Sequence, residues 1–187
     1  MATTDMRRRY RCDQNGAVRV KTPIGQLPAT AVVAANLAFW PLWTAAIGWL
    51  AQRTPDTRFA GDDVVTRPRA FERDGAFYRD DLGIDRWKDE LPEAGAVFGG
   101  FSKRSVGSGS LDVLEQFLVE TRRAEHAHWG MAAGFALTLV WNPWWASGAN
   151  AAVAASSNLP CIAVQRYNRI RLRRALSALQ RRATSSR

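Results

Sequence analysis

Two long stretches without a charged side chain interrupt an otherwise polar sequence. The first covers residues 22–52 and the second covers residues 126–165. Within the first, the apolar run 28–50 is long enough, at about 1.5 Å per helical residue, to cross a hydrocarbon core of about 30 Å. The sequence therefore predicts a first membrane segment within residues 22–52.

This apolar run exceeds the hydrophobic core of about 7–15 residues that is typical of a signal peptide, and no clear cleavage site follows it. We therefore expect an anchor that is not removed. Pro41 lies in the middle of the run, where proline removes one helical hydrogen bond and clashes with the preceding turn. Two alternatives follow for this segment: a kinked helix that crosses the membrane, and a re-entrant hairpin.

The second uncharged stretch is too long for one straight span, and Asn142, Pro143 and Gly148 predict a break within it. We expect a helical hairpin over residues 129–164, each arm of which is near the lower length limit for crossing a membrane. The second arm is rich in alanine, serine and glycine, which favour close helix packing in lipid. A buried helix pair in the core of a soluble protein is the alternative.

The remaining segments are polar, and the whole sequence predicts one all-α membrane domain over residues 1–187 with two to four membrane segments. Residues 53–110 combine charged residues with glycine and proline, and predict an irregular interfacial region. Ser110 is a suitable N-cap for a helix over 111–128 that leads to the membrane. Residues 165–187 predict a basic amphipathic helix and tail that lie on anionic lipid. Positive charge at both ends leaves the number of crossings open.

Composition limits the class of protein further. The 187 residues are 47% hydrophobic, which is too apolar for a disordered chain, and two cysteines cannot form a disulfide scaffold. The formal net charge is +9, and residues 166–187 contain eight arginines and no acidic residue. Because no groove-reading motif accompanies this basic segment, we attribute its charge to the membrane surface and predict no nucleic-acid partner.

A helical stripe of Leu111, Leu114 and Leu118 continues, at spacings of three and four residues, to Glu125 and His128. A carboxylate and an imidazole thus replace leucine on one helix face, where the chain enters an apolar segment. Ionisable groups at such a depth are functional candidates. The alternative is that the charged residues solvate a membrane-proximal turn and that His128 caps it.

The chain has only two histidines, His126 and His128. At positions i and i+2 they point to nearly opposite sides of a helix, and the Glu125-x-x-His128 spacing lacks the second copy that a di-iron site needs. We therefore predict no metal. A histidine one turn from a carboxylate and near several arginines suits a general base that acts on a hydroxyl group, with the arginines holding an anionic donor.

Two blocks of the sequence resemble the signature blocks of the glycosyl-4,4'-diaponeurosporenoate acyltransferase family. They are residues 120–129, ETRRAEHAHW, and residues 158–172, NLPCIAVQRYNRIRL. Weaker similarity covers residues 53–59, 71–77 and 86–88. The resemblance implies a small enzyme of the cell membrane, with its site at the cytoplasmic face, that transfers a fatty acyl group to a sugar hydroxyl of a glycosylated lipid.

The resemblance also implies which residues form the site. The implied catalytic residues are His128, Glu125 and Glu120, and the implied substrate-binding residues are Trp87, Lys88, Arg123, Trp129, Gln165, Arg166, Tyr167, Asn168 and Arg169. Residue chemistry suggests their roles. His128 would be the general base, oriented by one of the two carboxylates. Arginines 123, 166 and 169 would hold the donor phosphate or the oxyanion, and Gln165 and Asn168 would donate hydrogen bonds to the oxyanion.

This reaction needs an acyl thioester, such as acyl-CoA, as co-substrate and no other cofactor. The expected partners are membrane lipid, the acyl donor and a glycosylated lipid acceptor. The sequence leaves open the acceptor, the acyl chain and the oligomeric state. The alternative function is a non-catalytic membrane scaffold, or an assembly partner of lipid-synthesis enzymes.

Overall fold

The computed structural model describes residues 10–12, 18–90 and 111–185. Helices dominate this part of the chain, which confirms the predicted helical character. The three long helices are α1, Ala29–Arg53, α2, Leu111–Thr138, and α3, Trp144–Ser185. Three short strands precede them: β1, Tyr10–Cys12, β2, Val18–Thr22, and β3, Gly25–Pro28.

The purely α-helical prediction is wrong near the N-terminus, because the strands form an antiparallel sheet in the order β1-β2-β3. Residues 19–22 of strand β2 alternate as a sheet strand should, with Val20 and Thr22 buried and Lys21 between them exposed. Gly25 begins β3 with a φ of 125°, which favours glycine. An alternation of four residues is a weak signal by itself, and it is the pairing of β2 with both neighbours that makes it a strand.

Helix α1 is the candidate membrane helix. Among the helices that the structure describes, it is the one long and apolar enough to cross a membrane, and only 11% of its most apolar part is buried. Leu37 and Leu42 are largely exposed on it. The helix continues through Pro41, so the structure contains a helix and not a re-entrant hairpin. The two to four membrane segments stay a prediction.

The second uncharged stretch forms parts of two helices. Residues 139–143 connect α2 to α3, so the chain breaks earlier than the sequence suggests, and Gly148 lies inside α3. The Asn142 side chain donates a hydrogen bond of 2.9 Å to the Thr138 carbonyl at the end of α2. Helix α3 then continues through Pro160 to Ser185, so the predicted hairpin arm and the predicted basic helix are one element.

The chain divides into two compact units, residues 1–46 with 130–157 and residues 47–129 with 158–187. In the first unit, polar side chains of α1 bond to the other helical segments. Trp43 Nε1 donates to the Gly130 carbonyl at 3.1 Å, and a Cβ atom at Gly134 would lie 2.4 Å from the same indole nitrogen. Only glycine therefore allows this close approach of α2 to Trp43.

The second unit contains the apolar clusters of the described chain. One consists of Tyr78, Ile84, Val164 and Tyr167. The other joins Leu114 and Leu118 of α2 to Leu172 of α3, and is extended by Phe117, Leu176 and Leu179. The leucines of the basic C-terminal helix therefore pack on α2. This corrects the expectation that this apolar face lies on lipid, because the leucine stripe of α2 provides a protein surface that covers it.

Candidate active site

A buried network of charged side chains joins α2 to α3 in the second unit. Glu125 is fully buried, and its Oε1 accepts a hydrogen bond of 2.7 Å from Arg166 Nε. Its Oε2 accepts a hydrogen bond from Arg169, and Arg166 also bonds to Glu72. Two carboxylates thus face two guanidinium groups, which is how buried charges are tolerated.

Backbone carbonyls of the segment before Glu72 accept further hydrogen bonds from the two arginines. Arg166 Nη2 donates to the Val65 carbonyl at 2.7 Å, and Arg169 Nη2 donates to the Thr66 carbonyl at 3.1 Å. Burial lowers the pKa of Arg166, but the attraction of Glu125 and the hydrogen bonds to both carboxylates outweigh it and raise that pKa above its usual range. The Arg166 side chain is therefore a permanent cation in a fixed position.

Glu72 connects this network to the apolar cluster around Tyr78. Its carboxylate accepts a hydrogen bond of 2.6 Å from the Tyr78 hydroxyl and one of 2.7 Å from the Arg69 backbone N–H. Burial raises the pKa of Glu72, but these bonds and the one from Arg166 outweigh it and lower the pKa. Burial and Glu72 together raise the pKa of Tyr78, so its hydroxyl remains a donor.

This network corrects two expectations about the site. Glu125 contacts Arg166 and Arg169 and does not orient His128, because the arginines occupy both of its oxygens. Hydrogen bonds to protein acceptors engage all three guanidinium nitrogens of Arg166, so this arginine is not available to hold a donor phosphate. Arg169 differs, because its Nη1 is buried and has no hydrogen-bond partner among the described residues.

Arg123 and Glu120 also have structural contacts in place of the expected roles. Arg123 Nη1 donates to the carbonyls of Ala51 at 2.6 Å and Thr54 at 2.7 Å, and so caps the C-terminal end of α1. Its other branch pairs with Asp56. Glu120 Oε2 lies 3.4 Å from Arg123 Nε, and this carboxylate therefore belongs to the cap and not to His128.

His128 is oriented by an amide. Its Nδ1 lies 3.0 Å from Asn158 Oδ1, across from α2 to α3. Because an amide oxygen only accepts, this contact fixes the proton on Nδ1 and leaves the lone pair on Nε2. Burial lowers the pKa of His128, and the hydrogen bond to Asn158 opposes this only in part. The half-buried imidazole is thus neutral near pH 7, with Nε2 able to accept a proton.

The other histidine, His126, is held at both ring nitrogens. Nδ1 lies 2.9 Å from the Arg122 carbonyl and Nε2 lies 2.8 Å from Asp63 Oδ2. Burial raises the pKa of Asp63, but hydrogen bonds from the Thr66 backbone and from His126 outweigh it and hold that pKa well below its usual range. With both nitrogens facing acceptors, His126 has a positioning role, and His128 is the histidine suited to move a proton.

A cavity of about 390 Å³ lies in the second unit, further along the same two helices. Two of the predicted substrate-binding residues, Lys88 and Asn168, line it together with Arg171 and a set of apolar side chains. Lys88 Nζ lies 2.8 Å from Asp89, which also lines the cavity. Ligand cavities commonly have this composition, mostly apolar with a few polar groups.

The other predicted substrate-binding residues lie around the apolar cluster or at the surface. The Tyr167 hydroxyl donates to Asp85 at 3.0 Å, and Trp87 Nε1 donates to the Leu82 carbonyl at 3.0 Å. Gln165 is half-buried and Trp129 is exposed. The described part of the chain contains no group of three or more His, Cys, Asp or Glu side chains that could hold a metal ion.

Sequence reasoning missed several residues of the site. Asn158 lies in the second signature block but has no local pattern that marks it as a partner of His128, 30 residues away. Glu72 and Tyr78 lie in a segment of short helical turns, and Glu72 meets Arg166 across 94 residues. Such pairings are set by tertiary packing. The signal that the sequence offers is that residues 166–187 contain eight arginines and no acidic residue. Those arginines that are buried must therefore find carboxylates in other segments.

A helix able to cross a membrane, a histidine with an available nitrogen and a mostly apolar cavity are features of enzymes that act on lipid-like substrates. The family model described as glycosyl-4,4'-diaponeurosporenoate acyltransferase matches residues 62–178. The chain belongs to this family of acyltransferases, which confirms the predicted family and the predicted class of enzyme. The matched residues include the charged network, His128, Asn158 and the cavity.

Similar proteins carry the same description. The chain is 29% identical over 147 residues to the glycosyl-4,4'-diaponeurosporenoate acyltransferases of Staphylococcus aureus strains MRSA252 and bovine RF122 / ET3-1, which covers 77% of this chain and 87% of each relative. It is 28% identical over 146 residues to that of strain Newman, which covers 76% and 87%. No solved structure shows a significant match to the chain.

Proposed function

We propose that this acyltransferase moves a fatty acyl group from an acyl thioester to a sugar hydroxyl of a glycosylated carotenoid or related glycolipid, with His128 as the general base. The orientation of His128 by Asn158 is the observation that carries the proposal. The names of the relatives support the acceptor class. No comparable observation supports the scaffold alternative, since a scaffold does not need an oriented imidazole with a nitrogen that can accept a proton.

The proposed reaction is a direct transfer. His128 Nε2 takes the proton of the sugar hydroxyl as its oxygen attacks the thioester carbonyl carbon, and a tetrahedral oxyanion forms. Collapse of this oxyanion breaks the carbon–sulfur bond, and the thiolate that leaves receives the proton from His128. The products are an ester and a free thiol. The imidazole returns to its neutral form, so one histidine serves both proton transfers.

Of the two residues expected to stabilise the oxyanion, Gln165 has the better position. It lies seven residues, two helical turns, after Asn158 and so on the same face of α3. Asn168 lies ten residues after Asn158, about 15 Å along the helix, and lines the cavity instead. We therefore keep Gln165 as the candidate oxyanion donor and assign Asn168 to substrate binding.

The buried network has a positioning role in this mechanism. Glu125 lies one helical turn before His128, and its bonds to Arg166 and Arg169 attach this turn of α2 to α3. The distance between His128 and Asn158 depends on that attachment. This positioning role accounts for a strongly charged network that lies beside the proposed base and does not contact it.

The proposed location is the cell membrane, with the site at the cytoplasmic face. The exposed apolar surface of α1 supports membrane association. The arginines of α3 support a cytoplasmic second unit, because cytoplasmic segments near a membrane are enriched in basic residues. The proposed partners are membrane lipid, an acyl donor and a glycosylated lipid acceptor.

Acyl transfer is tested with the full-length protein in lipid nanodiscs, supplied with an acyl-CoA and a glucosylated carotenoid acid. Mass spectrometry of the extracted lipid is expected to show a new species, heavier than the acceptor by one fatty acyl group. The matching release of free thiol confirms the stoichiometry. An acceptor without its sugar is the control and is expected to remain unchanged. If neither acceptor gains mass while the protein is folded, the proposed function is wrong.

The pH dependence of turnover tests His128 as the base. Only the neutral imidazole accepts a proton, so turnover falls as pH decreases through the pKa of His128. Because burial lowers that pKa, the fall is expected below the ordinary histidine value of about 6.5. In Asn158→Asp, a carboxylate facing Nδ1 favours the imidazolium and raises the pKa, so the acid limb of kcat/KM moves to higher pH. An identical acid limb in both proteins would contradict the assignment.

A further inference from the structure

The cavity of the second unit combines apolar walls with a cation that has no carboxylate partner among the described residues. Its apolar lining consists of Leu114, Phe117, Val164, Leu172 and Ala175. Lys88 on the same wall is paired with Asp89. Arg171 differs, because it contacts the Tyr167 ring at 5.6 Å and forms no ion pair with a described carboxylate. The cavity therefore suits a ligand with an apolar or aromatic part and an anionic group.

The position of the cavity limits what that ligand is. Phe117 lies eleven residues before His128 on α2, and Asn168 lies ten residues after Asn158 on α3. The helices run antiparallel here, since His128 meets Asn158 and Leu118 meets Leu172. Both helices thus place the cavity about 15–20 Å from the proposed base. One donor molecule that reaches both places needs an anionic group far from its reacting carbonyl.

This separation distinguishes two classes of acyl donor. In a phospholipid, the ester carbonyl lies only a few bonds from the phosphate, so the lipid cannot reach His128 with one end and Arg171 with the other. In an acyl-CoA, the long pantetheine arm separates the thioester from the diphosphate and the nucleotide. Resting on the proposed function, we propose that the cavity binds the nucleotide end of an acyl-CoA, while the thioester lies at His128.

The contacts expected in the cavity follow from its lining. Arg171 binds the phosphates of CoA through charge-assisted hydrogen bonds, and Asn168 supplies an amide beside it. The adenine packs on the apolar walls around Phe117 and Leu172. An acyl carrier protein presents the same pantetheine arm, but its phosphate stays attached to the carrier, and no nucleotide then fills the apolar part of the cavity.

The test compares donors with and without the nucleotide, using full-length protein and the variants Arg171→Gln and Arg181→Gln. Arg181 is the matched control, an exposed arginine of the same helix that does not line this cavity. Arg171→Gln is expected to raise the KM for acyl-CoA on the order of 10- to 100-fold, with kcat little changed, because one charge-assisted bond is lost. Acyl-pantetheine lacks the phosphates, so the wild type is expected to have a KM for this donor as high as that of Arg171→Gln for acyl-CoA. Arg171→Gln is expected to raise the KM for acyl-pantetheine no further.

Three results would overturn the assignment: an equal effect of Arg171→Gln on both donors, no effect on either, or a strict preference for an acyl carrier protein thioester. Equilibrium dialysis with CoA alone tests the cavity without turnover. We expect CoA binding to the wild type and to Arg181→Gln, and weaker binding to Arg171→Gln. If the wild type binds CoA in this manner but transfers no acyl group, the proposed function fails and the cavity assignment stands. If acyl transfer occurs and CoA binding is independent of Arg171, the cavity assignment fails and the proposed function stands.

Discussion

Replacing His128 by glutamine is expected to lower kcat by about 100- to 10,000-fold, the contribution of a positioned general base. Glutamine has a similar size and its amide donates to Asn158, so the contact between α2 and α3 is kept. It has no nitrogen lone pair that takes a proton near pH 7. The loss is therefore expected in kcat, with the KM for both substrates and the melting temperature close to those of the wild type.

The matched control for this substitution is His126→Gln. His126 lies on the same helix, and its ring bridges Asp63 and the Arg122 carbonyl. Its loss is expected to lower the stability by about 1 kcal/mol, because partly buried partners lose a hydrogen bond, and to leave kcat of the folded protein within a few-fold of the wild type. Full turnover in His128→Gln would refute the assignment of His128 as the general base.

Replacing Glu125 by glutamine is expected to destabilise the protein by about 3–5 kcal/mol, since it removes one partner from a buried ion pair and leaves the other charge uncompensated. Arg166 keeps Glu72 as a partner. Arg169 does not, because Glu125 is its only carboxylate partner in the described part of the chain and its Nη1 has no partner there. Thermal or denaturant unfolding followed by circular dichroism measures this loss.

Glu120→Gln provides the comparison for Glu125. It is the same substitution five residues earlier on α2, in a carboxylate that is partly exposed and lies 3.4 Å from Arg123. A pair of this kind contributes about 0–1 kcal/mol, so we expect little change in unfolding. Should Glu125→Gln remain as stable as the wild type while the acid limb of its turnover moves, Glu125 would act on His128 itself and the positioning role would be wrong.

The two variants together distinguish catalytic from positioning effects. His128→Gln changes a proton transfer and keeps the fold, whereas Glu125→Gln removes a charge that holds the helices together. Any loss of turnover in Glu125→Gln is expected to follow the loss of folded protein, and lowering the temperature should restore it. No such rescue is expected for His128→Gln.

Local patterns in the sequence were sufficient to predict the helical character and the apolar helix near the N-terminus, and to place His128 on one helix face with Glu125. The spacing from Leu111 to His128 predicts a helix face, and α2 has this face. Residues 22–52 predict an apolar segment, and α1 is an exposed apolar helix over most of it. These features depend on contacts between residues three or four positions apart, which periodicity records directly.

What the sequence by itself determined was the family and the helical class, and His128 is its proposal for the base. Tertiary structure decided which side chains meet. Glu125 and His128 lie one turn apart on α2, yet one meets arginines of α3 and the other meets Asn158. Arg123, expected at the substrate, caps α1. A buried charge takes the partner that best replaces its lost hydration, and packing brings that partner from 30 to 94 residues away, beyond the reach of any local pattern.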